Sequence, residues 1–258
     1  MTHTNELRKR LASGEAVIGA RAETFSPLLV EVYGKLGYDF VWLDLEHTGP
    51  SPYDSTAFDA IVRAAECAAV ELLVRIPHAD PPLVHKVLDT GIKTLLVPRI
   101  ETAAEVKRAV RAARFEFDGG SGDRGFGGGR PTEWGGDTEN FTDREDREVL
   151  VGAMIESQAA VENIEEILSV PHLGFVFVGA NDLSISMGYP RETDHPEVRE
   201  AIETVEVACR DGDVPLGAPK HDTEAAAAAL DAGYRVLRVG DEVGAVRNVL
   251  GDRIDTLR

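Results

Sequence analysis

The chain has 258 residues, with 45 acidic against 27 basic side chains, a net charge of -18 and a hydrophobic fraction of 43%. Such an excess of acid argues against nucleic acid or an anionic membrane surface as a partner. No stretch approaches the roughly 20 apolar residues of a membrane span, and the length suits one large α/β domain.

The segment from Met1 to Arg10 is polar and lacks the apolar core of a signal peptide, so a cytoplasmic address is expected. Cys67 and Cys209, set inside helical patterns, read as buried reduced thiols, in keeping with that compartment. Only six bases are lysines. A dispersed acidic surface poor in lysine points to a halophilic adaptation, because high salt screens its self-repulsion.

Apolar runs predict strands over 16–20, 40–45, 71–76, 94–98, 149–155, 174–178, 215–218 and 235–239. Helical patterns lie between them over 26–35, 53–68, 81–89, 102–114, 158–168, 196–210, 223–232 and 242–250. Strand–helix alternation of this kind predicts a single-domain (β/α)8 TIM barrel over 1–258. A doubly wound open sheet stays the alternative, because periodicity does not show closure. The irregular stretch at about 118–146, rich in glycine and charge, reads as an insertion after the fourth helix, a flexible loop compatible with closing over substrate.

In a barrel the chemistry gathers where strands end. The fifth predicted strand runs into Glu156, and the sixth is followed by Asn181 and Asp182. Two carboxylates on one edge, with no base beside either in sequence, repel unless a cation or proton joins them, so a divalent metal site is the first hypothesis. Asp44, Glu46 and His47 follow the second strand, Arg75 ends the third, and Lys220 and His221 follow the seventh. His47 reads equally as a general base or as a capping, solvent-facing residue. Arg75 needs an anion, either a ligand or a structural partner such as Asp44 or Glu46. Asp89, at the end of the third helix, reads on sequence alone as a solvated acid.

Several of these blocks occur together, in order, in a known family. The run Phe40-Val41-Trp42-Leu43-Asp44-Leu45-Glu46-His47 resembles the D-x-E-H motif of the HpcH/HpaI aldolase and citrate lyase β-subunit superfamily. So do Leu72 to Pro77, Leu88-Asp89-Thr90-Gly91, Thr94 to Pro98, Met154-Ile155-Glu156 and Val178 to Ser184. The resemblance spans about 16–249 and is nearest to the 2-keto-3-deoxy acid aldolases. It implies a TIM barrel acting as a metal-dependent (class II) pyruvate aldolase, a cytoplasmic lyase assembled as a homo-oligomer, trimer or hexamer. The implied reaction reversibly cleaves a 2-keto-3-deoxy or 4-hydroxy-2-oxo acid to pyruvate and an aldehyde through a metal-bound pyruvate enolate.

The same resemblance implies roles for single residues. Glu156 and Asp182 would hold magnesium or manganese (Mg2+ or Mn2+), with cobalt possible, and Arg75 would face the keto oxygen. His47 would be the acid/base, Asp89 the acid paired with it, and Asp44 and Glu46 would support the array. Backbone amides around Gly179, Ala180, Asn181 and Asp182 would hold the pyruvate carboxylate. This chain departs from many bacterial members in having Met154 for glutamine and Asn181 for alanine. A Schiff-base aldolase using Lys220, a citryl- or malyl-coenzyme A lyase, and a non-catalytic barrel binding a keto acid or metal are the competing readings. Lys220-His221-Asp222 reads as solvated, which counts against the first of these.

Overall fold

A computed structural model describes residues 4–136 and 138–258. The strands are β1 (Val17–Ala22), β2 (Phe40–Asp44), β3 (Glu71–Arg75), β4 (Thr94–Val97), β5 (Leu150–Ile155), β6 (Leu173–Val178), β7 (Leu216–Lys220) and β8 (Val236–Asp241). All neighbours pair in parallel and in chain order, and β8 returns to β1, so the barrel is closed and the open-sheet alternative falls.

Alternation along each strand sorts the side chains into two layers. Phe40, Trp42, Leu73, Leu96, Leu150, Met154, Phe175, Phe177 and Val236 fill the barrel interior. Val41, Leu43, Val74, Leu95, Ala153, Val176, Leu216 and Ala218 face the helices. Glycines make room for the interior aromatics. Gly19 is paired in register with Phe40, Gly152 with Phe175 and Gly217 with Phe177, and a methyl at any of the three would collide with its partner's ring.

The N-terminal segment, read only as polar, holds a helix, Glu6–Ala12, capped by the Asn5 side chain. Leu7 and Leu11, one turn apart, bury themselves in the interior cluster. Asn5 Nδ2 donates to Thr94 Oγ1 at 2.9 Å and to the Glu148 carbonyl at 3.0 Å. The helix therefore plugs the N-terminal mouth of the barrel and leaves the other mouth for chemistry.

Other elements differ from the sequence expectation. The helix over 158–168 breaks at Asn163 into Gln158–Glu162 and Ile164–Leu168. A short helix, Ala180–Ser186, precedes the crossover helix Pro196–Asp211. The last helix runs further than expected, Glu242–Leu257, and buries none of its residues. Cys67 is exposed and only Cys209 is buried. The glycine-rich insertion is not a loose loop where it is described. It carries a two-residue hairpin, a 3-10 turn (Arg130–Gly135) and the start of a helix, Phe141–Glu148. Arg130 ties it to Glu66, and within it Arg124 pairs with Glu145 at 2.9 Å.

Candidate active site

The open mouth forms a cavity of about 930 Å³ lined by Arg21, His47, Arg75, Met154, Asp182 and Arg238, among others. Behind its lining Asp44, fully buried at the end of β2, anchors the arginines. Arg75 donates from Nε to Asp44 Oδ1 at 2.9 Å and from Nη2 to Asp44 Oδ2, and its Nη1 lies 3.0 Å from Glu46 Oε2. Arg21 from β1 reaches the same Asp44 carboxylate at 3.2 Å. Burial opposes the charge on Asp44, but the bond and charge of Arg75 prevail and hold its carboxyl below the usual range. Burial likewise works against Arg75, and Asp44 overrides it to keep the guanidinium charged. The ion-pair reading of Arg75 is thus realised with both of its named partners. One edge still faces Met154, whose sulfur accepts from Nη1 at 3.9 Å.

Glu156 leaves β5 into a nearly closed environment, 7% exposed. Arg99 donates its backbone N–H to Glu156 Oε1 at 2.7 Å, from a left-handed conformation (φ 54°) that a residue with a side chain rarely adopts. Burial pushes the Glu156 carboxyl up from its ordinary value, and the charges of Asp182 and Glu46 push it the same way. Asp182 sits exposed in the first turn of Ala180–Ser186. The donor set fits a hard divalent cation, because two carboxylates whose charges oppose one another gain from a shared positive charge. Among the described residues no third acid or histidine joins them, so the remaining ligands of such an ion would come from substrate and water.

Gly179 contributes through its missing side chain. A methyl there would sit 2.8 Å from Glu156 Oε2, and its own N–H is taken by the Ile155 carbonyl at 3.0 Å. Of the four amides expected to hold a carboxylate, those of Ala180, Asn181 and Asp182 open the helix, whereas that of Gly179 is already bonded. His47 is 56% exposed, and its Nε2 lies 3.5 Å from Glu46 Oε2. Glu46 therefore stands between His47 and Arg75.

Asp89 is not in this mouth. It caps the C-terminal end of Pro81–Leu88, a helix that starts beyond β3 and runs back toward the plugged end of the barrel. Its carbonyl accepts from Arg130 N at 3.2 Å, and its carboxylate lies against Gly127. Within one chain the expected pairing of Asp89 with His47 is absent. Asp89 is also not a solvated acid, since burial raises its carboxyl against the charges of Arg124 and His85.

Lys220 corrects another expectation. It is half-buried, its ammonium 5.0 Å from the Tyr234 ring centroid, and burial lowers its pKa. It lines the same cavity, yet Leu216 and Ala218 of the same strand face the helices, so the alternation sets Lys220 on the outward parity of β7. The residues that sequence reasoning missed are Arg21, Trp42 and Arg238, all on inward positions of β1, β2 and β8. The signal for the two arginines was available, each a lone charge within a largely apolar run, but it becomes visible only once the inward parity of each strand is known.

The family model for HpcH/HpaI aldolase/citrate lyase matches residues 22–249. The chain belongs to that family. It is 34% identical over 203 residues to 2-keto-3-deoxy-L-rhamnonate aldolase of Escherichia coli O157:H7, covering 78% of this chain and 73% of the relative. It is 30% identical over 245 residues to hydroxypyruvate/pyruvate aldolase of Paraburkholderia phytofirmans, covering 94% and 93%. Among solved structures, an HpcH/HpaI aldolase/citrate lyase family protein from Burkholderia cenocepacia J2315 superposes with a TM-score of 0.91 at 32% identity, covering 99% of this chain and all of the other. This HpcH/HpaI member is an enzyme of the aldolase type, a carbon–carbon lyase. Among the described residues no helix is long and apolar enough to cross a membrane.

Proposed function

We propose that this family member reversibly cleaves a 2-keto-3-deoxy or 4-hydroxy-2-oxo acid into pyruvate and an aldehyde, using a divalent cation held by Glu156 and Asp182. The observation that carries the reading is Glu156, a buried carboxylate whose charge is opposed by Asp182 and Glu46 and favoured by Arg75. A cation bound there, Mg²⁺ or Mn²⁺ with Co²⁺ also suited to oxygen ligands, supplies positive charge for the oxygen that becomes negative as the bond breaks.

The chain's own groups do the rest. Arg75, held by Asp44 and Glu46, presents a fixed guanidinium edge toward that oxygen, so no reorganisation is needed as charge develops. His47 takes the proton from the C4 hydroxyl. The C3–C4 electron pair then passes to the keto fragment as an enolate, the aldehyde leaves, and a proton returned to C3 gives pyruvate. The N–H groups of Ala180, Asn181 and Asp182 hold the pyruvate carboxylate.

Asp89 can serve His47 only from another copy of the chain, which makes a homo-oligomer, trimer or hexamer, part of the proposal. The last helix supports association, since Val243, Val246, Leu250, Ile254 and Leu257 are all exposed along it.

The test is pyruvate release from a panel of 2-keto-3-deoxy sugar acids by protein stripped with EDTA and reloaded with Mg²⁺ or Mn²⁺. Release that vanishes on stripping and returns on reloading is expected. Release that survives EDTA, or a stable adduct after borohydride reduction with pyruvate, overturns the cation-assisted reading in favour of Lys220 chemistry.

A further inference from the structure

The glycine-rich segment from Arg124 to Arg130 is folded around one residue, Asp89. Gly125 donates its N–H to His85 Nε2 at 3.3 Å, and Arg130 donates its own to the Asp89 carbonyl at 3.2 Å. His85 and Asp89 stand one turn apart at the end of the same helix, so both ends of the segment are fastened there. Between those ends, Gly127 lies against the Asp89 carboxylate and Gly129 against its carbonyl.

Volume, not backbone freedom, makes glycine necessary here. None of Gly127, Gly128 and Gly129 has a positive φ, so the backbone at each suits alanine. A methyl at Gly127 would sit 2.5 Å from Asp89 Oδ2 and 3.1 Å from Oδ1, and its three nearest neighbours are all atoms of that carboxyl group. A methyl at Gly129 would lie 2.5 Å from the Asp89 carbonyl oxygen, and one at Gly128 would meet nothing within 4 Å.

The Asp89 carboxylate is held by shape and left unbonded. Among the described residues it makes no ion pair or hydrogen bond. Arg124, with 1% of its side chain exposed, donates from Nη2 to Glu145 at 2.9 Å and keeps Nε and Nη1 without an acceptor. Glu145 is shared with Lys93, so the charge of Arg124 is only partly met. Burial raises the Asp89 carboxyl; Arg124, His85 and Lys86 oppose the rise, and Glu145 adds to it. Both carboxylate oxygens thus remain free to accept, which suits an acid that orients an imidazole by taking a hydrogen bond from one ring N–H.

We infer that Gly127 is a positioning residue: the gap left by its missing side chain sets where the Asp89 carboxylate stands, and so whether that carboxylate meets His47 of another copy. The inference rests on the shared site proposed above. The atoms that a methyl at 127 displaces are the end of a side chain, so filling the gap moves the carboxylate and leaves the fold standing.

The test measures pyruvate release from the best acid of the panel by Mg²⁺-loaded Asp89→Ala, Gly127→Ala, Gly128→Ala and the double variant Asp89→Ala/Gly127→Ala. Gly127→Ala lowers kcat by at least about tenfold, with KM within about threefold of the parent's, since Arg75, Glu156 and Asp182 are untouched. Gly128→Ala keeps kcat within about twofold. In the double variant the methyl takes nothing further from the kcat of Asp89→Ala, because its target is gone.

Parent-like kcat in Gly127→Ala, or a loss that adds fully to that of Asp89→Ala, overturns the positioning role. So does a loss accompanied by dissociation of the oligomer or by a Tm well below that of Gly128→Ala, which would make Gly127 structural. A parent without turnover on the panel removes the aldol reading, and Asp89→Ala at parent kcat removes the shared site. Either of these takes the role of Gly127 with it.

Discussion

Asp44 is the buried anion that Arg75 and Arg21 share, while Glu46 also meets Arg75 and Glu23 also meets Arg21. Removing it as Asp44→Ala leaves Arg75 and Arg21 short of a partner, and about 3–5 kcal/mol of stability is lost, measurable by urea unfolding. The sign of its pH dependence follows from its lowered pKa. An acid held below its ordinary value of 3.8 contributes fully above that value and loses its contribution as pH falls through the lower folded-state value. Asp44→Asn therefore shows a flatter fall of stability between about pH 5 and 2 than the parent, and an unchanged slope would refute the assignment. Arg75 also carries a catalytic expectation. Arg75→Ala lowers kcat by about 10²–10³-fold, the usual cost of one preorganised donor, and full turnover would remove it from the proposed mechanism.

Glu156 behaves in the opposite sense. Its carboxyl is raised by burial and by neighbouring acids, so its ionised form opposes folding of the cation-free protein above the ordinary value. Glu156→Gln is expected to melt at a higher temperature than the cation-free parent, and to lose the rise in Tm that added Mg²⁺ gives the parent. At this scale the sequence was informative about which polar residues stand at the strand ends, because acids, a histidine and an arginine there are visible as letters. It was not informative about pairing: whether Arg75 met substrate or a carboxylate depended on the register of β2 against β3, which sets Asp44 opposite Arg75.

The elements show a similar division. Apolar runs and turn signals located all eight barrel strands to within a few residues. The N-terminal helix escaped notice because seven residues with two leucines carry little periodicity, and its role comes from where it docks rather than from its pattern. Leu7→Ala is expected to cost about 2–5 kcal/mol, since the helix would leave a cavity in the interior cluster. Leu28→Ala, at a side chain 69% exposed, is the control and should cost little. The glycine–aromatic pairs make a second element-scale prediction. Gly152→Ala forces a methyl into the Phe175 ring and costs about 1–3 kcal/mol, part of which Phe175→Leu in the same chain restores. No sequence pattern announced these pairs, because each joins residues of two different strands.

For the molecule as a whole, the dispersed acidic surface bears on solvent rather than on fold. Its net charge of -18 predicts a Tm that rises steeply between low and multimolar KCl, and equal Tm in both would refute the halophilic reading. Association has its own test. If Asp89 acts on His47 of another copy, inactive Asp89→Asn and His47→Ala chains, unfolded and refolded together, regain activity in mixed oligomers, because some sites then receive both native residues. Mixtures as inactive as either parent would count against the shared site.

The sequence by itself determined the strand–helix alternation and which residues end the strands, because strand period and chain order are written in it. Only the tertiary structure decided closure, the exclusion of Asp89 from its own chain's mouth and the outward turn of Lys220. Each of these depends on strand register and parity around a closed sheet, and therefore on contacts between residues far apart in the chain.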